Sequence, residues 1–227
     1  MSNLTTLYAL IGDEIYDPGN VEVATGAASR MLRWINVVAK EAARLTDCLQ
    51  TSDTFAGDSS AESFVVSALT RYWHTLNIID KANDNQYEPV TREEYLDARG
   101  NIVVNSIGSR FIYNVFGYDA TQKVYILPVV ATGSTITIEH SQLHSDVTDA
   151  GSGAELLLGQ LNEEDPLIIK GVASLYWYAV GELERAQEAF QVYFARVQSL
   201  AREVGINPQI APEMSQLYRG LTDANSR

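Results

Sequence analysis

The chain is poor in cysteine and has no long apolar run, and each shortage excludes a class of protein. Its one cysteine, Cys48, cannot form an intrachain disulfide and fits a chain made in a reducing cytosol. No run of about 18 apolar residues is present, so no helix is expected to span a membrane. The first residues lack a basic region followed by an apolar core, so no signal peptide is expected.

Basic residues are also scarce relative to acidic ones. There are 16 Lys and Arg against 29 Asp and Glu, which gives a net charge of −13. An acidic surface does not neutralise phosphates, so tight binding to nucleic acid is not expected. Two interpretations of the charge stay open: the ordinary solubility of an acidic protein, or a surface past which DNA moves without sticking.

Two long segments repeat apolar residues at intervals of three and four, which is typical of amphipathic helices. The first segment predicts a helix from about Ala24 to Leu49, after a shorter helix over residues 4–16. Near the C-terminus a helix is predicted from Pro166 to about Val180. Gly181 should break it before a second helix over residues 182–204 that Gly205 ends. The apolar stripes consist of Met31, Ile35, Val38, Ala42, Leu45 and Leu49, and of Leu183, Ala186, Phe190, Tyr193, Val197, Leu200 and Val204.

The segment between these helices has the alternation and the β-branched content of strands. Strands are predicted over residues 64–66, 71–79, 87–90, 111–116, 123–127 and 134–140, the last three as a meander. In the last strand Thr137 should face solvent, opposite Ile136 and Ile138. Residues 51–62 are rich in Ser, Asp and Gly, and a loop is predicted there.

A short helix is predicted inside the β segment. Thr91 and Glu94 have the spacing of a capping box, in which each side chain accepts a hydrogen bond from the backbone amide of the other residue. The helix should run from Arg92 to Ala98, and Gly100 should end it.

The order of these elements predicts an α+β fold. N- and C-terminal helices would form a helical bundle with an inserted antiparallel β-domain and an extended C-terminal tail. The predicted parts are the N-terminal helices (1–50), the β-domain with its short helix (51–144), a loop (145–165), the C-terminal helices (166–205) and the tail (206–227).

The tail combines helix-breaking residues with spaced apolar ones. Pro208 and Pro212 prevent it from continuing the preceding helix. Its apolar residues would align on one side if a partner induced a helix, so the tail is predicted to order on binding. These residues are Ile206, Ile210, Met214, Leu217 and Tyr218.

No side chains form a recognisable catalytic or metal-binding motif. His140 and His144 are four residues apart. Two side chains at this spacing can bind one metal ion only if they lie on a helix, whereas a strand is predicted here. His74 is expected in the core or at the edge of a strand. Cys48 is expected at the C-terminal end of a helix, where the dipole disfavours a thiolate. We therefore expect no catalytic residue, no cofactor and no metal. The protein is not expected to be an enzyme.

Three aromatic residues follow one another in a predicted helix: Tyr176, Trp177 and Tyr178. Their rings point around most of the helix, so one packing face cannot bury them all. Either the helix lies between two layers of its own chain, or a neighbouring subunit covers one side, since aromatic residues are enriched at interfaces. The candidate subunit-interface residues are these three together with Phe190 and Tyr193.

Three stretches of the chain carry a pattern found in a known family. They are Met31-Leu32-Arg33-Trp34-Ile35-Asn36 leading into Glu41, Tyr113 through Lys123-Val124-Tyr125-Ile126-Leu127-Pro128 to Gly133-Ser134-Thr135-Ile136-Thr137-Ile138-Glu139, and Pro166 to Ala186 continuing with Glu188-Ala189-Phe190. In these stretches the chain resembles the head-to-tail adaptor proteins of tailed bacteriophages, also called connector or neck proteins. The chain departs from the family pattern at His140, where Tyr is common.

The resemblance implies a virion structural protein made in the cytoplasm of the host bacterium. It would form a homo-oligomeric ring of about twelve copies under the portal protein. The ring would also contact the tail tube, a nozzle or another neck protein, and DNA would pass through its channel without specific binding. The C-terminal tail would dock on the portal.

From the residues alone, two other classes of function stay open. One is a small cytosolic enzyme without a recognisable motif, and the other is a dimeric α+β module that binds a partner. An enzyme needs a cleft with convergent polar residues, whereas a dimeric module would not join a portal ring.

Overall fold

The computed structural model describes residues 4–16, 30–57, 62–69, 71–101, 110–117, 122–130, 132–148 and 166–205. Over these ranges the chain is mixed α+β, as predicted, with five α-helices and a curled sheet of seven strands. In chain order the elements are α1 (Leu4–Glu14), α2 (Arg30–Thr46), β1 (Gln50–Ala56), β2 (Ser63–Val65), β3 (Tyr72–Asp80), β4 (Asn85–Pro89), α3 (Arg92–Asn101), β5 (Ile112–Phe116), β6 (Lys123–Leu127), β7 (Thr135–Gln142), α4 (Pro166–Val180) and α5 (Leu183–Glu203).

The chain divides into two compact units. One consists of Gln50–Gln142, and the other combines Met1–Leu49 with Leu143–Arg227. Three predictions concern residues outside the described ranges: the start of the second helix at about Ala24, most of the 145–165 loop, and the tail over residues 206–227.

The helical unit contains α1, α2, α4 and α5, which share one apolar core. Helix α4 packs against each of the other three helices. Its Leu167, Ile168 and Leu175 are fully buried for that reason. The predicted stripe of α2 is buried from Met31 to Ala42, and that of α5 from Ala186 to Leu200. The two stripes therefore form facing sides of this core.

One residue of the second stripe was assigned wrongly. Leu183 is 59% exposed. It is the first residue of α5 and directly follows the turn at Gly181, so it lies at the end of the packed helices. The helix ends themselves are confirmed: Gly181 (φ +89°) separates α4 from α5, and Gly205 (φ +83°) follows α5. Glycine adopts this left-handed conformation without steric cost.

The β unit is one sheet with strand order β1-β7-β3-β4-β5-β6-β2. Neighbours pair antiparallel except β4 and β5, which are parallel and are joined through α3. A parallel pair needs such a crossover connection. The sheet curls so that Phe55 of β1 and Phe64 of β2, at its two edges, bring their rings to 5.1 Å between centroids. The enclosed core includes Ile78, Tyr87, Val124, Ile126, Ile136 and Ile138.

The predicted loop over residues 51–62 is wrong in its first half. Each residue of β1, from Gln50 to Ala56, pairs with a residue of β7. Exposed and half-buried residues alternate along β1, and Phe55 packs against the sheet core. Backbone pairing and one covered face therefore outweigh the low strand propensity of Ser and Asp.

The predicted meander is also wrong at its last strand. Strand β7 pairs with β1 and β3 and does not pair with β6. Both faces of β7 are buried from Ile136 to Ile138, so Thr137, expected in solvent, is 1% exposed. Alternation along a strand assigns its faces, but the strand's neighbours depend on residues far away in the chain.

The capping box is confirmed. The amide of Thr91 donates to Glu94 Oε2 at 2.8 Å, and the amide of Glu94 donates to Thr91 Oγ1 at 3.2 Å. Helix α3 nevertheless continues through Gly100 to Asn101, so the predicted stop at Gly100 is wrong. Glycine lowers helix stability without forbidding the helical conformation.

Candidate functional site

The three consecutive aromatic residues of α4 differ in their surroundings. Trp177 is buried at 8% exposure, whereas Tyr178 is 43% exposed. Tyr176 is half-buried and sets its ring edge-on to Trp34 of α2, with 6.3 Å between centroids. The chain's own helices therefore bury Trp177 and cover part of Tyr176. Tyr178 keeps its exposed surface.

Phe190 and Tyr193, the other two candidate interface residues, lie inside the helical unit. Phe190 is 6% exposed, and Tyr193 is fully buried. Burial, with a smaller contribution from the negative charge of Glu41, raises the pKa of Tyr193 far above its usual range. The Tyr193 hydroxyl has no hydrogen-bond partner among the described residues. In the structure both rings therefore belong to the core of the helical unit.

The surface of the helical unit contains a groove of about 300 Å³ that the sequence did not reveal. It forms where the C-terminal end of α1, helix α4 and the first half of α5 meet. The lining residues are Glu14, Tyr16, Lys170, Trp177, Arg185, Glu188, Ala189 and Val192. We call it the Arg185 groove.

Arg185 is the central side chain of the Arg185 groove. Its guanidinium carbon lies 4.8 Å from the ring centroid of Trp177 and 5.6 Å from that of Tyr16. The two rings also contact each other, at 6.1 Å between centroids. Cation–π contacts of this kind stabilise a guanidinium in a fixed position. The groove thus holds one arginine against two aromatic rings.

A salt bridge borders the same groove. Lys170 Nζ lies 2.6 Å from Glu14 Oε1 and links α4 to α1, and the two side chains are 28% and 29% exposed. Glu188 lies one turn beyond Arg185 on α5 and adds a second carboxylate to the lining. The groove therefore contains two cations and two carboxylates, of which Lys170 and Glu14 already neutralise each other.

Large exposed apolar side chains concentrate on this part of the helical unit. Tyr16 is 76% exposed and Val192 is 45% exposed, and both line the Arg185 groove. Tyr178, Val180 and Leu183 add exposed apolar surface at the junction of α4 and α5. Of the eight large exposed apolar side chains in the described ranges, these are five. Clustered apolar surface of this kind is typical of an interaction site.

The sequence did not reveal the groove because Glu14 and Tyr16 lie about 150 residues before the lining residues of α4 and α5. Arg185, Glu188 and Val192 are spaced three and four apart on α5, on the side away from the buried stripe. That spacing was the available signal. It could not be recognised without knowing that Tyr16 and Trp177 meet beside it.

The histidines do not converge on one point. His140 is fully buried on β7, with Nε2 2.9 Å from Asp53 Oδ2 of β1 and Nδ1 3.1 Å from the carbonyl oxygen of Ser141. His74 Nδ1 lies 3.0 Å from Ser141 Oγ. His144 follows β7, and its Nδ1 lies 2.6 Å from the carbonyl oxygen of Ser145. Each histidine therefore has a local structural contact within its own unit.

Metal chelation finds no support in the described ranges, where no group of three or more His, Cys, Asp or Glu side chains could hold an ion. Cys48 is half-buried just after α2 and is not part of a disulfide. Over the same ranges, no helix has the length and apolar character needed to cross a membrane.

The candidate portal-binding residues Ile206, Ile210, Met214, Leu217 and Tyr218 lie outside the described residues. No family model and no curated protein matches the chain.

Proposed function

We propose that the protein is a virion structural protein, the head-to-tail adaptor of a tailed bacteriophage, and not an enzyme. It forms a ring of about twelve copies under the portal protein. The ring links the capsid vertex to the tail tube, a nozzle or another neck protein. Its copies are made in the cytoplasm of the host bacterium and end up in the virion.

The observation that carries the proposal is the arrangement of the chain in two units. Both ends of the chain contribute to one helical unit, and the middle forms a separate β unit. The resemblance to adaptor proteins implies this order: a helical bundle with an inserted β-domain and a C-terminal tail. Such a chain can assemble through its helices while the β unit meets the next component of the particle.

The charge of the chain supports the same proposal. A net charge of −13 makes an adaptor lumen that repels phosphates, so DNA passes without specific binding. No membrane takes part. We assign the portal contact to the C-terminal tail, which becomes ordered when it docks. The contact residues are Ile206, Ile210, Met214, Leu217 and Tyr218.

The proposal is tested by gel filtration of the chain with and without the portal protein of the same phage. The full chain should move into the elution volume of the portal ring. A chain ending at Gly205 should keep its fold, as shown by circular dichroism, and should lose portal binding. If the truncated chain binds the portal as well as the full chain does, the docking surface lies outside the tail. If the full chain never joins the portal, the adaptor function is wrong.

A further inference from the structure

Arg185 contacts two aromatic rings, and these contacts do not use its hydrogen-bond donors. Trp177 and Tyr16 contact the guanidinium through their rings, at 4.8 and 5.6 Å from its carbon. A guanidinium that stacks on aromatic rings keeps its N–H donors at its edge, where they can bind a carboxylate through two parallel hydrogen bonds. An arginine fixed in this way loses little conformational entropy when it binds.

No carboxylate of the described residues occupies that edge. Within the described ranges, none lies within salt-bridge distance of Arg185, and Glu14 is bound by Lys170 at 2.6 Å. Four other arginines of the described residues have such a partner: Arg44, Arg99, Arg110 and Arg196, the last with Glu203 at 2.7 Å. Arg185 differs from these four by lying against two aromatic rings without a carboxylate within salt-bridge distance among the described residues.

The surroundings of Arg185 have the composition of an interface centre. Arg, Tyr and Trp are the residues that contribute most to binding energy at protein interfaces. Here Arg185 lies with Trp177 and Tyr16, and the exposed side chain of Val192 provides apolar contact area beside them.

Charge complementarity identifies the occupant as a second copy of this chain. The chain has 29 acidic residues against 16 basic ones, so its surface offers many carboxylates and few cations. Copies with a net charge of −13 repel one another, and a ring of them needs specific cations at its contacts. In a ring the contact is head-to-tail, so the groove of one copy meets a different surface of the next.

We infer that the Arg185 groove is the subunit contact of the ring, in which Arg185 binds a carboxylate of the neighbouring copy between Tyr16 and Trp177. The inference rests on the proposed adaptor function and assigns its subunit interface. Val192 and Tyr178 then pack against the same neighbour, which covers the apolar surface that the isolated subunit exposes.

The test measures self-association of the full chain by sedimentation velocity over a range of concentrations. Arg185→Glu places a like charge against the incoming carboxylate and should raise the dissociation constant at least about tenfold. Arg202→Glu is the matched control, since it makes the same change of charge on an exposed residue of α5 about 25 Å along the helix. Its dissociation constant should change less than about twofold. Arg185→Gln, which removes the charge without reversing it, should give an intermediate loss.

The outcomes separate this inference from the adaptor function. Far-UV circular dichroism first shows that each variant is folded; if Arg185→Glu is not, Arg185→Gln takes its place. Equal association of the Arg185 and Arg202 variants overturns the interface and leaves the adaptor function standing. A wild-type chain that stays monomeric up to its solubility limit also overturns the interface, whereas portal binding by gel filtration tests the adaptor function by itself.

Discussion

Gly171 of α4 faces Val38 of α2 so closely that a Cβ added at Gly171 would lie 2.6 Å from Val38 Cγ1. The same Cβ would lie 3.0 Å from Tyr193 Cδ2 of α5. Three helices of the shared core therefore approach one another at a residue without a side chain, and the core depends on that glycine.

We predict that Gly171→Ala destabilises the helical unit. The added methyl group must displace Val38, which is fully buried, and such overpacking costs about 1–3 kcal/mol. Gly100→Ala is the control, because a Cβ there meets no atom within 4 Å in helix α3. It should stabilise the protein by about 0.5–1 kcal/mol. Urea unfolding of both variants measures these changes, and equal effects would mean that the close approach is incorrect.

The ring of Phe190 should contribute strongly to the same core. Phe190 is 6% exposed and packs against the rings of Tyr193 and Phe194. Phe190→Ala should therefore lower the free energy of unfolding by about 3–5 kcal/mol. Val192→Ala, two residues away on an exposed position, should change it by less than about 0.5 kcal/mol. A loss below about 0.5 kcal/mol for Phe190→Ala in denaturant unfolding would show that the helix is rotated.

Asp53 is predicted to stabilise the sheet through His140. The His140 ring is fully buried and its Nε2 lies 2.9 Å from Asp53 Oδ2. Asp53→Ala leaves this buried nitrogen without its partner, which costs about 1–3 kcal/mol. Asp146→Ala removes an exposed salt bridge with Lys40 and should cost less than about 1 kcal/mol. Thermal unfolding of the two variants distinguishes these cases, and an equally small loss in both would contradict a structural role for Asp53.

Stability should fall in alkaline solution because of buried tyrosines. Burial raises the pKa of Tyr87 and of Tyr95 to about 12, with smaller contributions from the charges of Asp80 and Glu62, respectively. An unfolded tyrosine loses its proton near pH 10, so between about pH 10 and 12 the unfolded state binds fewer protons than the folded state. The contribution of these tyrosines is therefore complete below pH 10 and is lost as the pH rises towards 12.

This pH dependence is measured by urea unfolding at several pH values and by the absorbance of tyrosinate at 295 nm. Tyr87→Phe removes one titrating group, so it should make the loss of stability with pH less steep than in the wild-type chain. An equally steep loss in the variant would show that Tyr87 does not contribute to it.

The sequence predicted several helix ends that depend on nearby residues, although not the end of α3. Pro166 begins α4, Gly181 ends it, and the hydrogen bonds between Thr91 and Glu94 cap α3, all as local chemistry indicates. Strand β1 was missed because its polar residues become a strand only by pairing with β7, whose residues lie 79 to 91 positions later in the chain. Contacts over such distances leave no local pattern in the chain.

The candidate site was less predictable than the fold for the same reason. Trp177 was recognised as unusual, but its contacts with Tyr16 and Arg185 depend on how α1, α4 and α5 pack. The buried stripe of α5 followed from its periodicity, whereas the importance of Arg185 on its exposed side did not.

The central claim is that this chain is a ring-forming head-to-tail adaptor, and electron micrographs of the full chain mixed with the portal protein test it most directly. Averaged images should show additional density at one end of the portal, arranged as a closed ring of about twelve copies. The same mixture made with the Arg185→Glu variant should show weaker or incomplete rings. Portal particles without added density, at concentrations where the chain is folded and in excess, would contradict the account.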